Sequence, residues 1–274
     1  MHSSRAIYQL LTASCAVLAS SCTLLAHPGT DVAIIDLTAL IASTPNSADL
    51  YVRRASCYVE HQRWSEAAAD LAQAEIIAPQ HPDLALARAE YFLARDEPVA
   101  SISALESHIA SRPLDPAARV IRARAYARNR DARSALADFQ IALLHIPEPK
   151  PELWLEANAL IAEPIAALLD LEAAIERLGP APALEERALN LELQLKRTDA
   201  AVQRLILLSA RAERPETYHQ RRGDILTQAK RPAEARRAYA DALASIARLP
   251  DWLRTSEPTQ NLIAQLTALA TSSL

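Results

Sequence analysis

Glycine is almost missing from this chain: Gly29, Gly179 and Gly223 are the only three in 274 residues. They lie so far apart that neither a P-loop nor a GxGxxG turn can be written, because each needs several glycines within one turn. Nucleotide binding by those routes is excluded. An excess of positive charge is also missing, since 29 Lys and Arg face 33 Asp and Glu for a net charge of -4 and a pI near 6. A general polyanion binder needs the opposite balance to neutralise phosphates, so no nucleic-acid partner is expected. The histidines His61, His81, His108, His145 and His219 show no i, i+4 pairing and no HExxH, and so no metal site is expected. No carboxylate spacing singles out a catalytic dyad. The expectation is a chain with no cofactor and no enzyme chemistry of its own.

What is present favours helices. Half the residues are apolar and 23% are charged, which argues for a folded chain, and Ala, Leu, Arg and Glu dominate. An all-α fold follows. The amino terminus reads as a targeting leader: after Arg5 comes AIYQLLTASCAVLASSCTLLA, uncharged and apolar enough for the h-region of a secretory signal. The expected cut after Ala26 makes residues 1–26 the signal, leaves His27-Pro28-Gly29 at the mature start, and places the product in a periplasmic or secreted compartment with no stable membrane span. One alternative is an uncleaved anchor helix, against which the Thr, Ser and Gln content argues. The other is lipid anchoring at Cys22 through LASSC, against which the apolar residues Thr23 to Ala26 argue. Cleavage removes Cys15 and Cys22, so the mature chain keeps only Cys57 and forms no internal disulfide. Cys57 reads as a small helix residue, with no neighbouring His to activate it.

A repeat organises the rest. Pro45, Pro79, Pro113 and Pro147 are separated by the same interval of 34 residues, which is the mark of a stacked repeat. Three rows align: ADLYVRRASCYVEHQRWSEAAADLAQAEIIAP, PDLALARAEYFLARDEPVASISALESHIASRP and PAARVIRARAYARNRDARSALADFQIALLHIP. Counting each row from 1, position 8 holds Ala55, Ala89 and Ala123, and position 11 holds Tyr58, Phe92 and Tyr126. Position 20 holds Ala67, Ser101 and Ala135, position 24 holds Leu71, Leu105 and Phe139, and position 32 holds the prolines. Apolar spacing of three and four within each half is helical, and the polar turn near positions 14 to 18 separates two helices of about 14 residues, about 21 Å each.

These rows resemble the tetratricopeptide repeat, whose pattern has small residues at 8, 20 and 27, aromatics at 11 and 24, and proline at 32. The match departs at Ser101 and His108, which stand at small positions, and at Ala85 and Arg119, which replace a large residue at position 4. The resemblance implies a right-handed superhelical solenoid of stacked helix-turn-helix (TPR) repeats, with first helices lining a concave face. Its expected parts are an N-terminal capping helix in 27–47, six helix pairs in 48–81, 82–115, 116–149, 150–181, 182–215 and 216–250, and a C-terminal capping helix in 251–274. With the exported start, the architecture looks like secreted bacterial tetratricopeptide proteins. It implies a non-catalytic adaptor or scaffold that binds a peptide or protein partner on its concave face. The alternative is a structural subunit that braces a periplasmic or envelope enzyme complex. An exposed apolar patch on the concave face favours the first, and one on an outer helix the second.

Two sets of polar residues stand out against that pattern. Position 7 is arginine in Arg54, Arg88, Arg122 and Arg222, and position 23 holds Asp70 and Asp138. Arg54 with Asp70, and Arg122 with Asp138, are expected to form bidentate pairs between the two helices of one repeat. Arg88 and Arg222 face Ala104 and Ala238 and are expected to lack a carboxylate, laying only their stems over the interface. In the family, partners commonly bind first-helix positions 2, 5, 9, 12 and 13. The candidate partner-binding residues carried over in this way are Ser56, Glu60, Glu90, Arg124, Arg128 and Asp224. Their mixed signs suit no uniformly acidic or basic ligand. Val52, Ser56, Leu86 and Glu90 do not supply the Lys and Asn of the family's carboxylate clamp.

Overall fold

The computed structural model describes residues 28–271, which are helical with no strand among them. The leader reading of residues 1–26, with Cys15 and Cys22, lies outside the described residues. The fold is an all-α repeat solenoid of stacked helix pairs, and it divides into two compact units, one ending at Glu97 and the other beginning at Pro98.

The first unit holds α1 (Pro28–Ser43), α2 (Ala48–Glu60), α3 (Trp64–Ile77) and α4 (Leu84–Ala94). Its core joins Ile34 of α1, Val52, Ala55 and Tyr58 of α2, Leu71 and Ala74 of α3, and Leu84 and Tyr91 of α4. The second unit opens with α5 (Pro98–Ser111), followed by α6 (Pro116–Arg128), α7 (Ala132–His145), α8 (Pro151–Asn158) and α9 (Pro164–Leu178). It continues through α10 (Pro182–Gln194), α11 (Thr198–Arg211), α12 (Glu216–Gln228), α13 (Pro232–Ile246), the single turn α14 (Asp251–Arg254) and α15 (Glu257–Thr271). One apolar cluster runs from Ala123 and Phe139 through Trp154 and Leu171 to Leu184 and Leu191, so each pair covers the next.

Local chemistry sets the helix ends. Pro116, Pro151, Pro164, Pro182 and Pro232 each open a helix, where the missing amide costs nothing. Asp115 caps α6 by accepting from the amides of Ala117 at 3.0 Å and Ala118 at 3.3 Å. Five first helices close in one way, with a left-handed residue at the same repeat position: Gln62, Asp96, Arg130, Lys196 and Lys230, at φ of 56° to 61°. After Gln62 the amide of Arg63 reaches back to the Tyr58 carbonyl at 2.8 Å, while Gln62 itself donates to Val59 at 3.0 Å, and the other four turns repeat both bonds. The α8–α9 connection is shorter and lacks this closure, because Leu160 and Ile161 turn the chain back onto Ala157 and Asn158.

Packing follows the columns. Positions 20 and 27 are shut off from solvent in Ala67, Ala74, Ala135, Ala142, Ala235 and Ala242. Position 24 is filled by Leu71, Leu105, Phe139, Leu171, Leu205 and Tyr239. Ser101, which departs from the small apolar residue at position 20, is buried as completely as the alanines. In the second row the deepest ring is Tyr91, with the expected Phe92 only half-buried, and the two rings meet edge to face at 5.3 Å. Gly223 takes position 8 of the last pair because Tyr239 fills position 24 there, and a Cβ at Gly223 would run into the tyrosine ring.

These two features predict glycine substitutions of opposite sign. Lys196→Gly relieves a left-handed side chain and is expected to stabilise the fold by about 1 kcal/mol. Gly223→Ala gains helix propensity but overpacks the ring, with a net loss expected at about 1–2 kcal/mol. Thermal unfolding followed by circular dichroism checks both.

Candidate partner-binding surface

Position 7 of a first helix lies beside position 23 of its partner helix, and this sets the polar chemistry between them. Arg54 donates from Nε and Nη2 to Asp70 at 2.7 and 2.8 Å, and from Nη1 to Thr38 of α1 at 3.0 Å. Arg122 donates in the same two-pronged way to Asp138 at 2.7 and 3.0 Å. Both aspartates are buried, and both guanidinium groups lie over the ring at position 11, at 5.6 Å from Tyr58 and from Tyr126. The bond to its aspartate, set against the cost of burial, raises the pKa of each arginine above its ordinary value. Arg119, whose presence at position 4 breaks the family pattern, supplies a second guanidinium to Asp138.

Two expectations about this column need correction. Arg88 is not without a carboxylate: it donates to Glu75 at the end of α3, from Nη1 at 2.7 Å. Arg222 likewise pairs with Asp241, one helical turn beyond Ala238. Asp241 lies one turn beyond the facing position and Glu75 lies on the second helix of the preceding repeat; a long guanidinium stem reaches either, and counting a single facing position missed both. The same column carries contacts that sequence reasoning did not single out. Asp170 accepts from Trp154 at 3.2 Å and from Asn158 at 2.9 Å. In the fifth pair the polarity is reversed: Arg204 stands at position 23 and binds Glu192 through Nε at 3.0 Å and Nη2 at 2.9 Å, together with Glu185 and Glu172. Burial opposes that charge, yet the carboxylates outweigh it and raise the Arg204 pKa. A basic residue at position 23 facing acidic residues at 4 and 11 was the available signal.

The candidate partner-binding residues occupy varied settings. In the first unit, Ser56 is half-buried and its hydroxyl donates to the Val52 carbonyl at 3.3 Å, while Glu60 and Glu90 are exposed on α2 and α4. In the second unit, Arg124 binds Glu156 of the following first helix through both prongs at 2.8 and 2.9 Å, and Arg128 is exposed near the end of α6. Asp224 is held inward, accepting from the Tyr239 hydroxyl at 2.9 Å. Arg221 extends the pattern of first-helix cross-links by reaching Glu186 and Asn190. Much of the charge on these helices is therefore engaged within the fold.

One cleft opens on the first unit. It holds about 630 Å³ and is lined by Ala33, Asp36, Leu37 and Leu40 of α1, by Asp49, Val52, Arg53, Ser56 and Cys57 of α2, and by Asp83 at the start of α4. Its α2 side presents first-helix positions 2, 5 and 9 in Asp49, Val52 and Ser56. Burial pushes the Cys57 thiol up, which disfavours the nucleophilic thiolate. Buried polar chemistry of another kind lies at the start of α12, where Glu216 is fully buried with Oε1 on Arg214 and Oε2 unpartnered. Close by, burial and the Arg222 charge lower the His219 pKa, while Asp241 and Glu216 work the other way. No group of three or more His, Cys, Asp and Glu among the described residues is placed to hold a metal, and no described helix is long and apolar enough to cross a membrane.

No family model matches the sequence, and no characterised protein of similar sequence is found. Solved structures do share the fold. A tetratricopeptide repeat protein from Parabacteroides merdae is similar over 87% of this chain and 92% of its own, at 14% identity and a TM-score of 0.50. The PilF protein of Pseudomonas aeruginosa is similar over 86% of this chain and 99% of its own, at 15% identity and a TM-score of 0.51. A complex of Naa15 and Naa10 bound to HypK contains a chain that matches 89% of this one with 39% of its own length, at 17% identity and a TM-score of 0.53. The chain thus has the fold of the tetratricopeptide-repeat proteins.

Asp138, 3% exposed and bound by two arginines, is the severest test of the polar column. Asp138→Ala leaves the half-buried guanidinium groups of Arg119 and Arg122 without their shared carboxylate and is expected to cost about 1.5–3 kcal/mol in urea unfolding. Replacing all three residues together by Leu or Met is expected to recover most of that loss. His219 sets a pH dependence. Its folded pKa lies below the ordinary 6.5, so the unfolded chain takes up the proton first. Its contribution is complete above about pH 6.5 and is lost as the pH falls toward the folded pKa. His219→Gln is expected to flatten the fall in thermal midpoint between about pH 7 and 5.

Proposed function

We propose that this protein is a non-catalytic scaffold that binds a peptide or protein partner through its first-helix surface. The observation that carries this reading is the cleft beside α2, where positions 2, 5 and 9 meet an apolar wall from α1. The fold supports it, because stacked helix pairs within a unit present neighbouring first helices on which a partner can lie. We further propose that the protein works in an exported compartment, a reading that rests on the leader sequence of residues 1–26.

A second reading has its own support. The large apolar residues that remain exposed on α3, α5, α7, α9 and α11 include Ile76, Val99, Leu144, Ile165, Leu169 and Leu207, and all of these are second helices. Such a distribution suits a subunit that braces a larger assembly by its second-helix surface.

Crosslinking in the source cell's envelope fraction, with affinity recovery of the full chain, separates the two. Loss of the recovered partner in Leu40→Glu, an exposed position of the cleft, with Ile165→Lys and Leu169→Lys unaffected, is the expected outcome. The converse pattern supports bracing, and no specific crosslink with any variant rejects both. Amino-terminal sequencing of the recovered chain is expected to begin at His27.

A further inference from the structure

The cleft on the first unit lies against repeat columns that complete pairs close. Counting back 34 residues from Ala67, Asp70, Leu71 and Ala74 gives Ala33, Asp36, Leu37 and Leu40, so α1 has the register of a second helix ending at Pro45. In complete pairs these columns are closed by the pair's own first helix. Ala67, Ala74, Ala135, Ala142, Ala235 and Ala242 are all 0% exposed, and Asp70 and Asp138 are buried against arginines. On α1, Leu40 is 49% exposed, Asp36 is exposed and Ala33 is half-buried. The floor of the cleft is apolar, through Leu37, Leu40 and Val52, and its rim carries Asp36, Asp49 and Asp83 against the single cation Arg53.

We propose that this cleft receives a short helix from a partner protein, basic and amphipathic, with an arginine immediately before a small residue. The helix completes the half-repeat begun by α1. Its small residue lies over Ala33 and Leu37, and its guanidinium binds Asp36 as Arg54 binds Asp70 and Arg122 binds Asp138. The arginine requirement comes from the column itself, because Asp36 is the position 23 carboxylate of this half-repeat. The chain's own leader does not meet it, since the residues 34 places before Arg54 and Ala55 are Ser20 and Ser21. The excess of acid on the rim favours a basic helix for the same reason. This assignment rests on the scaffold reading and specifies its site.

A labelled peptide of residues 116–131, PAARVIRARAYARNRD, is a suitable probe because it presents Arg122 before Ala123 in a helix-forming context. Fluorescence anisotropy is measured on the full chain and on a chain beginning at His27. Saturable binding is expected, weakened at least about tenfold by Asp36→Arg in the protein or by Arg122→Ala in the peptide. An Arg122→Glu peptide is expected to regain affinity for the Asp36→Arg protein. General electrostatic attraction predicts little loss from removing one of the probe's arginines. Both Asp36 and Leu40 are exposed, so Leu40→Glu provides a second variant whose fold is checked by circular dichroism.

No saturable binding, or equal binding by the Asp36→Arg protein, overturns the assignment. So does binding confined to the chain beginning at His27, which makes the leader the occupant. Concentration-dependent self-association that Asp36→Arg abolishes overturns it in favour of a second copy of the chain. If the peptide fails while a crosslinked partner persists, the cleft assignment falls and the scaffold reading stands.

Discussion

In the first, third and sixth helix pairs the two helices close over a contact between positions 8 and 24 at which position 8 holds nothing larger than alanine. Where position 8 is alanine, position 24 carries leucine or phenylalanine, as in Ala55 with Leu71 and Ala123 with Phe139. Where the ring grows to Tyr239, the opposing residue shrinks to Gly223. The volume available between two backbones is fixed by their approach, so residues on either side change together. Glycine is scarce elsewhere because turns that commonly use it are closed here by left-handed Gln, Asp, Arg and Lys.

Charge between the helices obeys a looser rule than volume. The position 23 column holds a carboxylate in Asp70, Asp138 and Asp170 and a guanidinium in Arg204, and each finds a partner of suitable chemistry on the facing helix. The sign can reverse when both partners reverse, because each buried charge still meets its opposite. Arg88 shows that the partner need not stand in the same row, and Arg222 that it need not stand at the facing position. A buried charge must be matched, but a long flexible side chain allows several places from which to match it.

That matching shapes what remains for a partner. Arg124 and Arg221 link successive first helices, and Asp224 is tied to Tyr239, so the charge on this surface serves the stack. The cleft beside α1 differs because its carboxylates lie at a rim with only Arg53 among them. Repetition makes this legible: a column seen closed in one pair and open in α1 reveals what kind of surface would close it.

The 34-residue period, the small and aromatic columns, the proline-bounded helices and the rows containing Arg54, Asp70, Arg122 and Asp138 can all be read from the chain alone, because packing inside one repeat is local and recurs. Tertiary structure decided what depends on reach and on neighbours in the next repeat. It joined Arg119 to Asp138, sent Arg88 to Glu75 and Arg222 to Asp241, gathered three glutamates around Arg204, and left Leu40 and Asp36 open on α1. A periodic sequence specifies positions along a helix, whereas the end of a long side chain is placed by whatever charge lies within its radius in space.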